Sequence, residues 1–169
     1  MRRIYPQKIV GHWDRFVEGL NVSTLAFFEL VESLLAERGI DGVIAMRVVW
    51  PEGGPFSPRR HYLQVNFDTI IFIVGAVPIG NATYFSWWCA IADRGITAWL
   101  VDRALFGWMF RLLLRPTTFY RVDTVRAYEH ALHASLTTAV DNLSKAKGLR
   151  SLSEEDRKPV LLDLVGRFE

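Results

Sequence analysis

TIIFIVGAVPIGNATYFSWWCAIA, from Thr69 to Ala92, contains no charged side chain, and the way the protein absorbs it decides the fold. The stretch is long enough to cross a bilayer as a helix. Its content argues against that: Gly75, Pro78, Gly80 and Asn81 fall near its middle, and the residues around them are β-branched or aromatic. The residues leading into it, His61–Phe67, alternate. Leu63, Val65 and Phe67 share one parity, and Tyr62, Gln64 and Asn66 share the other, which is the period of a strand. The block therefore reads as a buried hairpin, Ile70–Val77 and Thr83–Cys89, turned through Pro78-Ile79-Gly80-Asn81.

Before this hairpin, Val43–Trp50 is rich in β-branched residues and reads as a strand, and residues 51–58 form the densest turn stretch in the chain. Four consecutive strands with short turns make an antiparallel meander. Ser23 is placed to cap a helix reaching Arg38, with Leu25, Phe28, Val31 or Glu32, and Leu35 at helical spacing and Gly39 as its stop. Residues 1–20 read as an arm with short helical character. After the sheet, Asp123 or Thr124 is placed to cap a long helix to about Lys147. Its buried stripe is Val125, Tyr128, Leu132, Leu136, Ala139, Val140 and Leu143, and Gly148 ends it. Ser153 with Asp156 has the spacing of a capping box, and Pro159 suits the first turn of a last helix to Arg167. The expected fold is one α+β domain over residues 1–169: a four-stranded antiparallel β-meander preceded by one helix and followed by two or three helices packed on the sheet.

The bulk numbers are those of a globular chain: 169 residues, 50% hydrophobic, 22% charged, with 6 tryptophans and 11 phenylalanines. Aromatics on that scale serve cores and interfaces alike. Net charge is +2 with acids and bases interspersed, so there is no basic stripe for nucleic acid. The single cysteine, Cys89, forbids an internal disulfide and reads as a buried thiol in a reducing compartment. No apolar run follows the basic residues near Met1, so the expected location is the cytoplasm or the inner face of a membrane.

A second apolar block runs from Ile96 to Leu114. Asp102, Arg103 and Arg111 interrupt it, at about 2.5–3.5 kcal/mol each near a bilayer centre, which opposes clean insertion. On a helical wheel Arg103, Gly107 and Arg111 form a narrow polar stripe, while Trp99, Phe106, Trp108 and Met109 help cover the rest. Three uses fit such a helix: packing on the sheet, an oligomer interface, or lying on a membrane surface. The candidate interaction surface is accordingly Trp99, Phe106, Trp108, Met109, Arg103 and Arg111.

Chemistry-bearing clusters are sparse. Glu129, His130 and His133 share a helix but lack a third ligand and the spacing of a zinc-protease helix, so no metal site is expected. No glycine-rich phosphate cradle or nucleophilic triad spacing occurs, and no cofactor is expected. Arg59 and Arg60 follow the Gly/Pro loop. Together with Arg115, Arg121 and His130 they are the candidate contacts for an anion or small ligand.

Several segments resemble a family of uncharacterised bacterial proteins. They are Glu52-Gly53-Gly54 with Phe56-Ser57, Tyr62-Leu63, and Phe85-Ser86-Trp87-Trp88. Further along come Arg115-Pro116-x-Thr118-Phe119-Tyr120-Arg121-x-Asp123-Thr124, Ala146-Lys147-Gly148-Leu149-Arg150-x-Leu152-Ser153, and Arg157-Lys158-Pro159-Val160. Members of that family carry transmembrane helices between the Ser-Trp-Trp strand and the Arg-Pro-x-Thr segment, where this chain has Ile96–Leu114. The resemblance implies a strand for Thr69–Ala92 and a membrane association for the block after it, and implies no activity. The expected function is a non-catalytic interaction or assembly protein. It would join a second copy, a protein partner or, peripherally, a membrane. The alternative is a small-ligand-binding protein or enzyme with a pocket between the sheet and the long helix.

Overall fold

The computed structural model describes residues 8–51, 59–67, 70–91 and 119–161. In chain order its elements are β1 (Lys8–Glu18), α1 (Thr24–Glu37), β2 (Val43–Pro51), β3 (Arg59–Phe67), β4 (Ile70–Ile79), β5 (Ala82–Ile91), α2 (Phe119–Ala146) and β6 (Val160–Leu161). The apolar block is the β4–β5 hairpin. Gly80 turns it at φ +60°, a left-handed conformation that a residue without Cβ adopts freely. Among the described residues no helix is long and apolar enough to cross a membrane.

The class is α+β with an antiparallel sheet, but the sheet has six strands, in the order β2-β3-β4-β5-β1-β6. The expected four-strand meander is its β2–β5 part. The expected N-terminal arm is β1, which pairs along its length with β5. Two features of β1 obscure its period of two. A register shift between Ile9 and Gly11 interrupts the alternation, and Arg15 sits on the inward parity with Trp13. Arg15 is accommodated because its Nε donates to the Asp156 carbonyl at 3.0 Å and lies 3.3 Å from the Asp156 carboxylate. The expected last helix is also corrected as far as Leu161, and its remainder to Arg167 lies outside the described residues. The capping-box bonds between Ser153 and Asp156 form, with Ser153 N to Asp156 Oδ2 at 3.1 Å and Asp156 N to Ser153 Oγ at 3.2 Å. They close one turn, after which Val160–Leu161 joins β1 as an edge strand. Among the described residues one helix, α2, follows the sheet.

The pairings make β1 and β2 run in the same direction at separated positions, so the chain must recross the sheet between them, and α1 does so. Both helices lie on one face. Cross-strand rows such as Leu63–Val74–Trp87–Trp13 and Val65–Phe72–Cys89–Gly11 present that face. Phe27 of α1 meets Phe85 with ring centroids 4.8 Å apart, and Tyr128 of α2 stacks on Phe67 at 4.4 Å. Thr24 Oγ1 donates to the Ala76 carbonyl at 2.7 Å, and Arg38 Nε donates to Ser135 Oγ of α2 at 2.8 Å.

The buried residues of α1 are Phe27, Phe28, Val31 and Leu35, while Leu25 is turned to solvent. In α2 the expected stripe holds, with Val125, Leu132, Leu136, Ala139 and Val140 buried and Tyr128 and Leu143 partly so. The helix begins earlier than Asp123, and the Thr124 hydroxyl bonds back to the Tyr120 carbonyl at 2.7 Å instead of capping. Gly148, at φ +72°, ends it, and Leu149 N reaches the Ser144 carbonyl at 2.8 Å.

Replacing Leu132 by Ala leaves a cavity under the sheet and should lower the unfolding free energy by about 2–5 kcal/mol. Leu25→Ala on the exposed side of α1 should cost about 0.5 kcal/mol or less. Urea denaturation of the two variants checks this assignment of faces.

Candidate functional site

Two places stand out among the described residues: the sheet face on which no described helix lies, and a cleft beside α2. The first follows from the pleat. Residues of opposite parity to the core rows form an outer face. On it lie Ile44, Met46, Val48 and Trp50 of β2, Ile71, Ile73 and Val77 of β4, and Tyr84 and Trp88 of β5. Antiparallel sheets with a solvated face normally alternate apolar with polar. Here both parities of β4 are apolar. Ile44 is 59% exposed and Trp88 41% exposed. Trp88 stacks on His12 at 4.8 Å and Trp50 tilts against Tyr62 at 5.5 Å, so the aromatics are fixed on this face by neighbours.

The cleft has a volume of about 330 Å³ and lies between α2 and the segment leading into β6. From α2 it takes Glu129, His130, His133, Ala134 and Thr137, and from the other wall Glu154, Arg157, Lys158, Pro159 and Leu161. Polar bonds hold that wall in place. Trp13 Nε1 donates to the Asp156 carbonyl at 2.7 Å. The Arg157 guanidinium pairs with Asp141 of α2, whose other oxygen accepts from Leu152 N at 2.9 Å. Trp87 Nε1 donates to His133 Nδ1 at 3.2 Å. An indole N–H only donates, so the His133 proton resides on Nε2, which donates to the Arg157 carbonyl at 2.6 Å. Burial keeps the His133 pKa below the usual 6.5. The Arg157 carbonyl opposes this, while the charges of His130 and Arg157 add to it.

Glu129 is the unusual group. It is 2% exposed. Its Oε2 accepts from Arg126 at 2.8 Å, and its Oε1 has no hydrogen-bond partner among the described residues. The carboxylate fits because residue 11 is glycine: a Cβ there would stand 3.0 Å from Oε1. Burial raises the carboxyl pKa above its usual value, with Arg126 and His130 pulling the other way. The thiol of Cys89 is buried in the same region and is pushed up by burial and by Glu129.

Of the expected ligand contacts, Arg59 and Arg60 lie apart from His130. Arg59 and Arg60 open β3 opposite Pro51 and Trp50 and are exposed. His130 lines the cleft near β1 and β6, three strand spacings from β3, roughly 14 Å. Arg121 falls in the first turn of α2. Arg115 and the expected interaction residues Trp99, Arg103, Phe106, Trp108, Met109 and Arg111 lie outside the described residues. Among the described residues no group of three His, Cys, Asp or Glu side chains is placed to hold a metal ion. Glu129 was not among the expected site residues, although the sequence carries a signal for it: a carboxylate four residues after Val125 and three before Leu132 interrupts the buried stripe. No protein family, curated protein or solved structure matches the chain.

Because the folded His133 has a lowered pKa, the unfolded chain binds the extra proton first. The stability its neutral form supplies is complete above pH 6.5 and is lost as the pH falls below that value. Glu129 works in the opposite sense, its raised carboxyl favouring the fold toward acid. Unfolding free energies measured from pH 8 to pH 5 should fall more steeply for the native chain than for His133→Gln, which keeps an acceptor and a donor but does not titrate. Parallel curves would show that His133 does not couple folding to pH.

Proposed function

We propose that this chain is a non-catalytic assembly protein whose outer sheet face packs against a second copy of itself. The observation that carries the reading is the apolar outer face, on which Ile44, Trp88, Ile79 and Phe16 stand exposed across four strands. Two such faces related by a two-fold axis stack at about 10 Å, as in a β-sandwich, and each supplies what the other lacks. Aromatic and aliphatic side chains at the centre, with Asp14 and Glu18 toward one side, suit the composition of an interface core and rim. The Ile96–Leu114 block follows β5 directly in sequence. Its Trp99, Phe106, Trp108 and Met109 belong to this proposal as further contact residues, and a peripheral membrane contact at the inner face is the competing use of the same surface.

A second reading, a small-ligand-binding protein or enzyme, is favoured by the cleft of about 330 Å³, which lies between α2 and the segment leading into β6 and not between the sheet and the long helix.

Size-exclusion chromatography with light scattering, run with and without liposomes, tests the assembly. The native chain should run at twice the 19.4 kDa of one copy, and Trp88→Asp with Ile44→Asp should return it to one copy with its circular dichroism unchanged. A native monomer, or co-migration with liposomes in place of a dimer, rejects self-assembly.

A further inference from the structure

We propose that the open edge of β2 takes up an extended segment of another protein as an added strand. That segment alternates apolar with polar residues and carries a lysine or arginine beside Glu29 and Glu32 of α1. The inference goes beyond the self-assembly reading, which covers the outer face and not this edge.

The backbone gives the first reason. β2 stands at one end of the strand order, so among the described residues one side of it has no strand beside it. Sheets protect such edges by keeping them short, or with a bulge, an internal proline or a charge. β6, at the other end, is 2 residues long. β2 is 9 residues long, pairs with β3 from Val43 to Pro51 without a register shift, and has its only proline at its last position. Its one charged side chain, Arg47, is held by α1: Nη2 lies 2.6 Å from Glu32 and Nη1 3.5 Å from Glu29. Strand addition to such an edge draws affinity from main-chain bonds and specificity from alternate side chains.

Those side chains give the second reason. On the outer parity an added strand meets Ile44, Met46, Val48 and Trp50, with Ile44 59% exposed, which asks for apolar residues. On the inner parity it meets Ala45, Arg47 and Val49. There two carboxylates face one guanidinium, and the Glu29 side chain is 67% exposed. The local excess is negative. Arg59 and Arg60 sit opposite Pro51 and Trp50, roughly 10–13 Å along the strand from Arg47, so the basic residue belongs beside the first half of β2. The same charges oppose a second copy at this edge. Two β2 strands paired antiparallel about a two-fold axis keep both α1 helices on one side of the joint sheet, and Glu29 and Glu32 of each approach those of the other.

Acetyl-Val-Thr-Val-Lys-Val-Thr-Val-amide is titrated into the ¹⁵N-labelled full chain and followed at the backbone amides of Ile44, Ala45, Met46 and Val48. It should shift them saturably and slow their hydrogen exchange. The same peptide with glutamate in place of lysine should need about fivefold higher concentration or more. With proline in place of the valine after lysine it should not bind, because the ladder is broken. Glu29→Lys should remove the preference for the lysine peptide with the dispersed spectrum kept, and Glu29→Gln should reduce it. Lysine and glutamate peptides that bind the native chain equally well overturn the inference, as does the absence of shifts in β2. Binding that survives the proline places the peptide on the outer face and overturns it too. Shifts of the β2 amides with the concentration of the chain alone show a second copy at the edge, and the inference fails.

Discussion

Strands β4 and β5 carry apolar side chains on both parities, and backbone pairing on either side locks them into the middle of the sheet. A sheet built around such a hairpin has two apolar faces to remove from water, at roughly 25 cal/mol per Å². The fold meets the first demand with α1 and α2, which share one face and join through Arg38 and Ser135. The crossover that returns the chain from β1 to β2 exists because the inner face needs that helix. The outer face has no described helix over it, and its exposed Ile44 and Trp88 are the cost of the same two-sided hairpin. Core and candidate interface are consequences of one stretch of sequence.

The sheet's far edge obeys a different rule. β6 pairs with β1 through only Gly11 and His12, too little ladder to hold the segment by itself. Side chains replace the missing backbone bonds: Trp13 and Arg15 donate to the Asp156 carbonyl, and His133 of α2, held by the Trp87 indole, donates to the Arg157 carbonyl. Each such bond contributes about 0.5–1.5 kcal/mol net. Trp13 and Trp87 keep their rings in the core while the N–H of Trp13 reaches this wall and that of Trp87 orients His133, a use that suits a large apolar residue with one polar handle.

What the sequence revealed tracks how local the physics was. Strands β2 to β5 and the stripe of α2 were legible because period two and period 3.6 depend on nearest neighbours and burial alone. β1 was not legible: its alternation is broken by a register shift and by an inward Arg15, whose partner is Asp156, far along the chain. Ser153–Asp156 was legible as chemistry and misleading as structure, because a capping box opens one turn as readily as a helix. The arginines expected to share a ligand were grouped by charge, and the topology sets Arg59 and Arg60 on the opposite side of the sheet from His130.

Two acids on α2 mark what the C-terminal wall does and leaves undone. Asp141 is buried, and both its oxygens are used, one by Arg157 and one by Leu152 N. Glu129 is more deeply buried, and one of its oxygens is used. Both face the same returning segment, so the difference lies in how that segment runs. It bonds Asp141 through Leu152 N and the Arg157 side chain, and the bond of His133 to the Arg157 carbonyl is its last described side-chain bond to α2. From there it turns aside to pair with β1. The gap between that last bond and the start of β6 is the cleft, and Glu129 lines it. A carboxylate in an ordinary core position would have been matched or replaced by an apolar residue at little loss. Its place under Gly11, with one oxygen unmatched among the described residues, distinguishes this part of the helix from the part where Asp141 is sealed.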